Sequence, residues 1–220
     1  MKILEYGYYD LATNETETKE LIKKALSFQP HSVSVLPYYV RTIRPIVFGR
    51  TELSCVIDYP FGLTESASRI LSIEQAIKDG ADIIELVMAS PLLCNRKYDK
   101  LRKELEIYVS LCTQNNVRAR CVLEYKIFAP ELLYKAASIL NEFDISVIYP
   151  SANFLIDNIS DNILAGMLVH QKNPKTNIIF SGSAWTDEQI DMVLNNQQIY
   201  GYKTTNIYTL EKIYQKINKI

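Results

Sequence analysis

Charged side chains embedded in apolar runs are the residues whose chemistry this sequence has to account for. Glu85 lies within "DIIELVM", and Arg120 and Glu124 lie within "ARCVLEY". Along an extended segment Arg120, Glu124 and Lys126 share parity and point to one face. A charge isolated on a buried face is costly, so these groups must pair or meet water. An interior Glu85–Arg120–Glu124 network is the expectation. Carboxylates held in such surroundings suit acid–base work, and the same residues read equally as an ion-pair network without chemistry. Tyr149 closes the stretch "DISVIYPSANF", after the β-branched Ile145, Val147 and Ile148. Its phenol there is either a hydrogen-bond donor or acid–base group, or a ring that fills space.

Other chemistries find little support. The two histidines, His31 and His170, lie far apart in sequence, and HExxH, GxSxG, P-loop and GxGxxG patterns are missing. Cys55, Cys94, Cys112 and Cys121 show neither CxxC pairing nor zinc-site spacing, and Cys55 and Cys121 sit in apolar runs as small hydrophobes do. No metal and no cofactor is expected. A formal net charge of −1 argues against nucleic acid or a membrane surface as partner, since both usually require a basic excess. Without an apolar run approaching the roughly 20 residues of a membrane span, or a signal-like N-terminus, the chain reads as soluble and cytoplasmic.

The elements that position these residues alternate along the whole chain. Strand-like runs occupy 3–6, 32–36, 53–59, 83–88, 119–125, 145–149, 177–181 and 199–203, separated by segments of 3.6-residue periodicity. Asn14 with Glu17, and Thr186 with Gln189, form capping-box patterns. Pro130 suits a first helical turn, Gly80 a helix stop, and Pro45 shortens or kinks the helix after the second strand. Eight strand–helix repeats in 220 residues predict one (β/α)8 TIM barrel of class α/β, a single domain over 1–220. A doubly wound open sheet is the alternative, but it often carries a glycine-rich phosphate turn. In a barrel, functional side chains gather at the C-terminal strand ends. Those ends carry Glu85, Glu124 with Lys126, Tyr149, Ser181-Gly182-Ser183 and Lys203-Thr204-Thr205.

Several of these runs look familiar. "SVSVLPYYV", "SCVIDYPFG", "DGADIIELVM", "RCVLEY", "SVIYPSANF" and "IIFSGSAWT" resemble, in order, strands two to seven of deoxyribose-phosphate aldolases. The resemblance implies a class I aldolase scaffold, in which a strand-six lysine forms a Schiff base and a strand-seven lysine lowers its pKa. The matching positions here are Tyr149 and Ile179. Glu85 replaces the strand-four aspartate, and Glu5 stands where the first strand usually has one. A phenol forms no imine, so the usual mechanism cannot run through these positions.

The resemblance also implies a phosphate site in the loops after strands six to eight. Asn153 falls where a glycine is usual, Gly182-Ser183 replaces a glycine pair, and Trp185 replaces an arginine. Ser181, Gly182 and Ser183 precede a helix N-terminus, which favours an anion, with Lys203 as a nearby cation and Thr204 and Thr205 as donors. A helix cap and a surface lysine would look the same. Three functions therefore stand open: binding of a small sugar-phosphate or carbonyl ligand at the barrel mouth, aldolase activity through a relocated lysine (Lys126 or Lys203), or a non-catalytic interaction protein. The expected partner is a small molecule, phosphorylated or not, and the resemblance adds a homodimer. An open polar mouth would favour ligand or substrate; one packed shut by aromatics would favour an interaction role.

Overall fold

In the computed structural model, which describes residues 2–10, 12–156 and 158–218, eight parallel strands close on themselves in sequence order. They are β1 (Ile3–Tyr8), β2 (Ser32–Val35), β3 (Glu52–Ile57), β4 (Ile83–Val87), β5 (Arg118–Val122), β6 (Val147–Tyr149), β7 (Asn177–Ser181) and β8 (Gly201–Thr204). The connections hold α1 (Glu15–Leu26), α2 (Val40–Ile43), α3 (Ser66–Lys78), α4 (Ser90–Cys94), α5 (Tyr98–Gln114), α6 (Pro130–Leu140), α7 (Ile159–Lys172), α8 (Asp187–Asn195) and α9 (Ile207–Asn218). The (β/α)8 barrel expected from the strand–helix alternation is therefore the fold.

Local chemistry sets the element ends. Asn14 and Thr186 close the expected capping boxes of α1 and α8, satisfying N–H groups that a first turn leaves without partners. Pro130 opens α6, and Gly80 takes φ +99 just past α3. Pro45 lies in a 3-10 turn that follows the four-residue α2, so the helix there is cut short. Two expected strands end early because the chain turns left-handed. Asp58 has φ +62 directly after β3, and Glu124 has φ +49 two residues after β5.

The side chains divide by parity into two cores. Residues such as Ile57, Ile84, Leu86, Cys121 and Ile148 face the helices in the larger one. Val56, Val87, Val122, Val147, Tyr149 and Ile179 pack inside the barrel. Among those inner residues the strands also place Glu5, Ser54, Glu85, Arg120 and Lys203, all buried. Register sets Glu5 beside Lys203 across β1 and β8, and Glu85 beside Arg120 across β4 and β5.

Candidate active site

The buried charges form one connected cluster. Arg120 Nη1 donates to Glu5 Oε1 at 2.6 Å and to the Tyr149 hydroxyl at 2.5 Å. That hydroxyl in turn donates to Glu5 Oε2 at 2.8 Å, with Glu85 Oε1 further off at 3.4 Å. Ser54 Oγ donates to Glu85 Oε1 at 2.6 Å, and the Lys203 ammonium pairs with Glu85 Oε2. Lys203 Nζ also lies 4.5 Å from the Tyr149 ring centre and 5.4 Å from that of Tyr9, within cation–π range. Two carboxylates and two cations thus balance in a buried region.

Electrostatics keeps the Glu5–Arg120 pair charged. Burial pushes the Glu5 carboxyl up, but the Arg120 and Lys203 charges, with hydrogen bonds from Arg120 and Tyr149, outweigh it and hold it below its ordinary value. Burial likewise works against the Arg120 cation, and Glu5 and Tyr149 overcome it. The Tyr149 phenol moves the other way. Burial, opposed by Arg120 and reinforced by Glu5 and Glu85, pushes it far above its ordinary range, so it remains a protonated donor.

The structure brings together some of the expected residues and separates others. Glu85, Arg120 and Tyr149 meet, with Lys203 and Glu5 added. Glu124 does not join Arg120 as the parity rule implies. The left-handed turn at Glu124 ends the alternation, and its buried carboxylate accepts from the backbone N–H of Ala152 at 2.9 Å. Lys126, beyond that turn, is exposed and donates to the Ile156 carbonyl, so its amine lies outside the barrel. Tyr9 and Ser54 complete the cluster, though no motif marks either of them in the sequence. Tyr9 shares the parity of Glu5 and Ser54 that of Val56, and this signal could have found them once barrel parity was followed along every strand.

Above the cluster the mouth is nearly closed. Tyr9 and Tyr59 rings lie 4.7 Å apart, Tyr59 meets Phe154 edge-on at 6.0 Å, and Phe154 meets Phe61 edge-on at 5.3 Å. The cavity left beneath them, bounded by Glu85, Tyr149, Ser151, Ser181 and Lys203, measures about 10 Å³. That is room for about one water. The loop carrying Tyr59 and Phe61 is pinned at both ends. Asp58 accepts from the backbone and hydroxyl of Thr64 at 2.9 and 2.7 Å and lies 3.5 Å from Arg69, itself buried. Gly62, at φ +64, packs so tightly that a Cβ would run into the Met88 carbonyl.

The loops expected to hold an anion direct their donors inward. Lys203 turns to Glu85, and the Gly182 N–H donates to the Lys203 carbonyl at 3.2 Å. Ser183 donates to Asn153, which donates to Thr205, and the Thr204 hydroxyl accepts from the Asn206 N–H. Helices α7, α8 and α9 are capped by Asn158, Thr186 and Asn206. The first turn of α8 carries Asp187 and Glu188, which repel an anion. Among the described residues no group of three or more His, Cys, Asp or Glu could hold a metal ion. Among them, too, no helix is long and apolar enough to cross a membrane.

Deoxyribose-phosphate aldolases are among the known proteins that this chain is similar to. The chain is 28% identical over 136 residues to the deoxyribose-phosphate aldolase of Staphylococcus carnosus, covering 61% of each chain. It is 24% identical over 154 residues to that of Lactiplantibacillus plantarum, covering 70% of this chain and 72% of the relative. The first of these matches thus spans about three fifths of that relative's length. Among solved structures, "QR15, an aldolase" superposes with a TM-score of 0.84 at 19% identity, covering 98% of this chain and 94% of the other. The deoxyribose-phosphate aldolase of Aeropyrum pernix gives 0.82 at 13% identity, covering 98% and 89%. No protein-family model matches. In sequence and in fold the chain is similar to deoxyribose-phosphate aldolases.

Proposed function

We propose that this barrel is a non-catalytic relative of the deoxyribose-phosphate aldolases, a binding protein that has kept the scaffold without the Schiff-base reaction. The observation that carries this reading is the engagement of Lys203, the amine that the described residues place inside the barrel. A lysine forms an imine only when its nitrogen can reach the carbonyl carbon. Here that nitrogen is held by Glu85 and lies over two tyrosine rings, contacts that a carbonyl would have to displace. Tyr149, at the position matched to the Schiff-base lysine, has its hydroxyl engaged by Arg120 and Glu5. Ile179, matched to the second lysine, is packed among the apolar residues of the barrel interior. A sugar-phosphate or carbonyl ligand would enter only if the aromatic cover moved, since the cavity of about 10 Å³ is too small for either.

One observation favours a second reading. Lys203 borders that small cavity together with Glu85, Tyr149 and Ser181. With the cover open, it is the described lysine placed to form an imine, with Glu85 as its acid–base partner. Incubation with acetaldehyde and borohydride, followed by intact mass, separates the two readings when run beside turnover of deoxyribose 5-phosphate. The non-catalytic reading expects no adduct and no turnover. A reduced adduct that disappears in Lys203→Met would overturn it in favour of the relocated lysine.

A further inference from the structure

The opposite end of the barrel holds a cavity of about 570 Å³, within the range of roughly 300–1,000 Å³ typical of small-molecule sites. It opens between the start of β1, the loops leading into β2 and β3, and the last turns of α9. We propose that it is a binding site for a small amphipathic anion, with an apolar ring or chain as its body and a single carboxylate- or sulfonate-like head. This goes beyond the reading of the mouth and does not depend on it.

Three observations point there. The walls are apolar and aromatic: Phe28 and Tyr214 rings lie 5.8 Å apart, with Ile46, Ile217 and Phe48 completing them. Phe48 is 79% exposed, an unusual position for a phenylalanine with nothing covering it. Among the described residues, the ionisable groups lining the cavity apart from Tyr214 are Lys2, His31 and Arg50, and none is a carboxylate. Lys2 is anchored to the carbonyls of Asn196 and Ile199. His31, whose pKa burial lowers, sits 3.5 Å from Glu52. That leaves the exposed Arg50 guanidinium, which among the described residues has neither a carboxylate nor a carbonyl partner in this structure. An apolar cleft with an uncommitted guanidinium at its rim selects an apolar molecule carrying one planar anionic group.

The groove between α3 and α5 is larger, about 930 Å³, but selects nothing by charge. Its lining sets Lys97, Lys100 and Lys103 against Glu65, Glu74 and the buried Glu104. It serves as the internal control.

The test uses two fluorescent probes of similar shape, 8-anilinonaphthalene-1-sulfonate and its uncharged relative N-phenyl-1-naphthylamine. Each is titrated into the full chain and into Arg50→Glu, Phe48→Ser and Leu71→Glu, with circular dichroism confirming that each variant is folded. The sulfonate is expected to saturate at one per chain. Arg50→Glu is expected to weaken it by about tenfold or more while leaving the uncharged probe within about twofold, because only the charged head meets the guanidinium. Phe48→Ser should weaken both probes, and Leu71→Glu neither. Sulfonate binding unchanged in Arg50→Glu, or lost in Leu71→Glu, would overturn the proposal, as would no saturable binding by the unmodified chain.

Discussion

The two ends of this barrel differ less in how many charges they carry than in what those charges are free to do. Toward the C-terminal mouth, Glu5, Glu85, Arg120 and Lys203 are all buried, and each meets an opposite charge within the protein. Toward the N-terminal end the cavity is some fifty times larger, and Arg50, which lines it, is left without a partner among the described residues. A dense cluster of ionisable groups looks like an active site, yet here each group already has a partner that a substrate would have to displace. Availability, rather than density, separates a site from a structural network.

The strongest way to break this comparison is to remove one charge from the closed end. Arg120→Met leaves the Glu5 carboxylate buried without its main counter-charge and should cost about 3–5 kcal/mol at pH 7 by urea unfolding. The effect should depend on pH. In the unmodified chain Glu5 is held below its ordinary value of 4.5, so its contribution is full above that pH and is lost as pH falls through the lower folded value. Without Arg120, burial dominates and raises the Glu5 pKa, so the folded variant takes up a proton. The gap between variant and parent should therefore narrow as pH is lowered toward 4.5. A gap that stays constant with pH would mean that Arg120 is not there to balance Glu5.

The next effect concerns the Glu85–Lys203 pair. Lys203→Met and Glu85→Gln should each destabilise strongly, and the double variant should cost less than their sum by about 2 kcal/mol. Additive losses in thermal or urea unfolding would show that the pair is not coupled and that the amine is freer than its geometry implies. Smaller again is Tyr149→Phe, which removes an acceptor for Arg120 and a donor to Glu5 and should cost about 1–2 kcal/mol. No measurable loss would return Tyr149 to the role of a space-filling ring.

Much of the barrel was legible because its signals are local. Apolar runs of strand length, the Asn14 and Thr186 caps, Pro130 and Gly80 each act within a few residues of themselves. The cluster was only half legible. Parity correctly sends Arg120 inward, but it assumes an unbroken strand, and the left-handed turn at Glu124 stops the alternation before Lys126. Which carboxylate meets which cation depends on closure of β8 against β1, a contact between chain ends that no window of sequence contains. Lys203, placed by the sequence at the end of the eighth strand as a cation beside the anion loop, is directed by that strand into the barrel. The aromatic cover joins Tyr9, Tyr59 and Phe154 from three separate connections, and it was invisible for the same reason.

The smallest expected effect sharpens the comparison from the open end. Arg50→Ala removes a full charge, as Arg120→Met does, yet it should change unfolding free energy by no more than about 0.5 kcal/mol, because an exposed guanidinium without a partner contributes little. The same variant should lose the rise in melting temperature that 8-anilinonaphthalene-1-sulfonate gives the unmodified chain, since a ligand that binds the folded state stabilises it in proportion to its affinity. A stability loss of 1 kcal/mol or more on Arg50→Ala would mean that Arg50 is already satisfied within the protein. The two ends would then differ only in the size of their cavities.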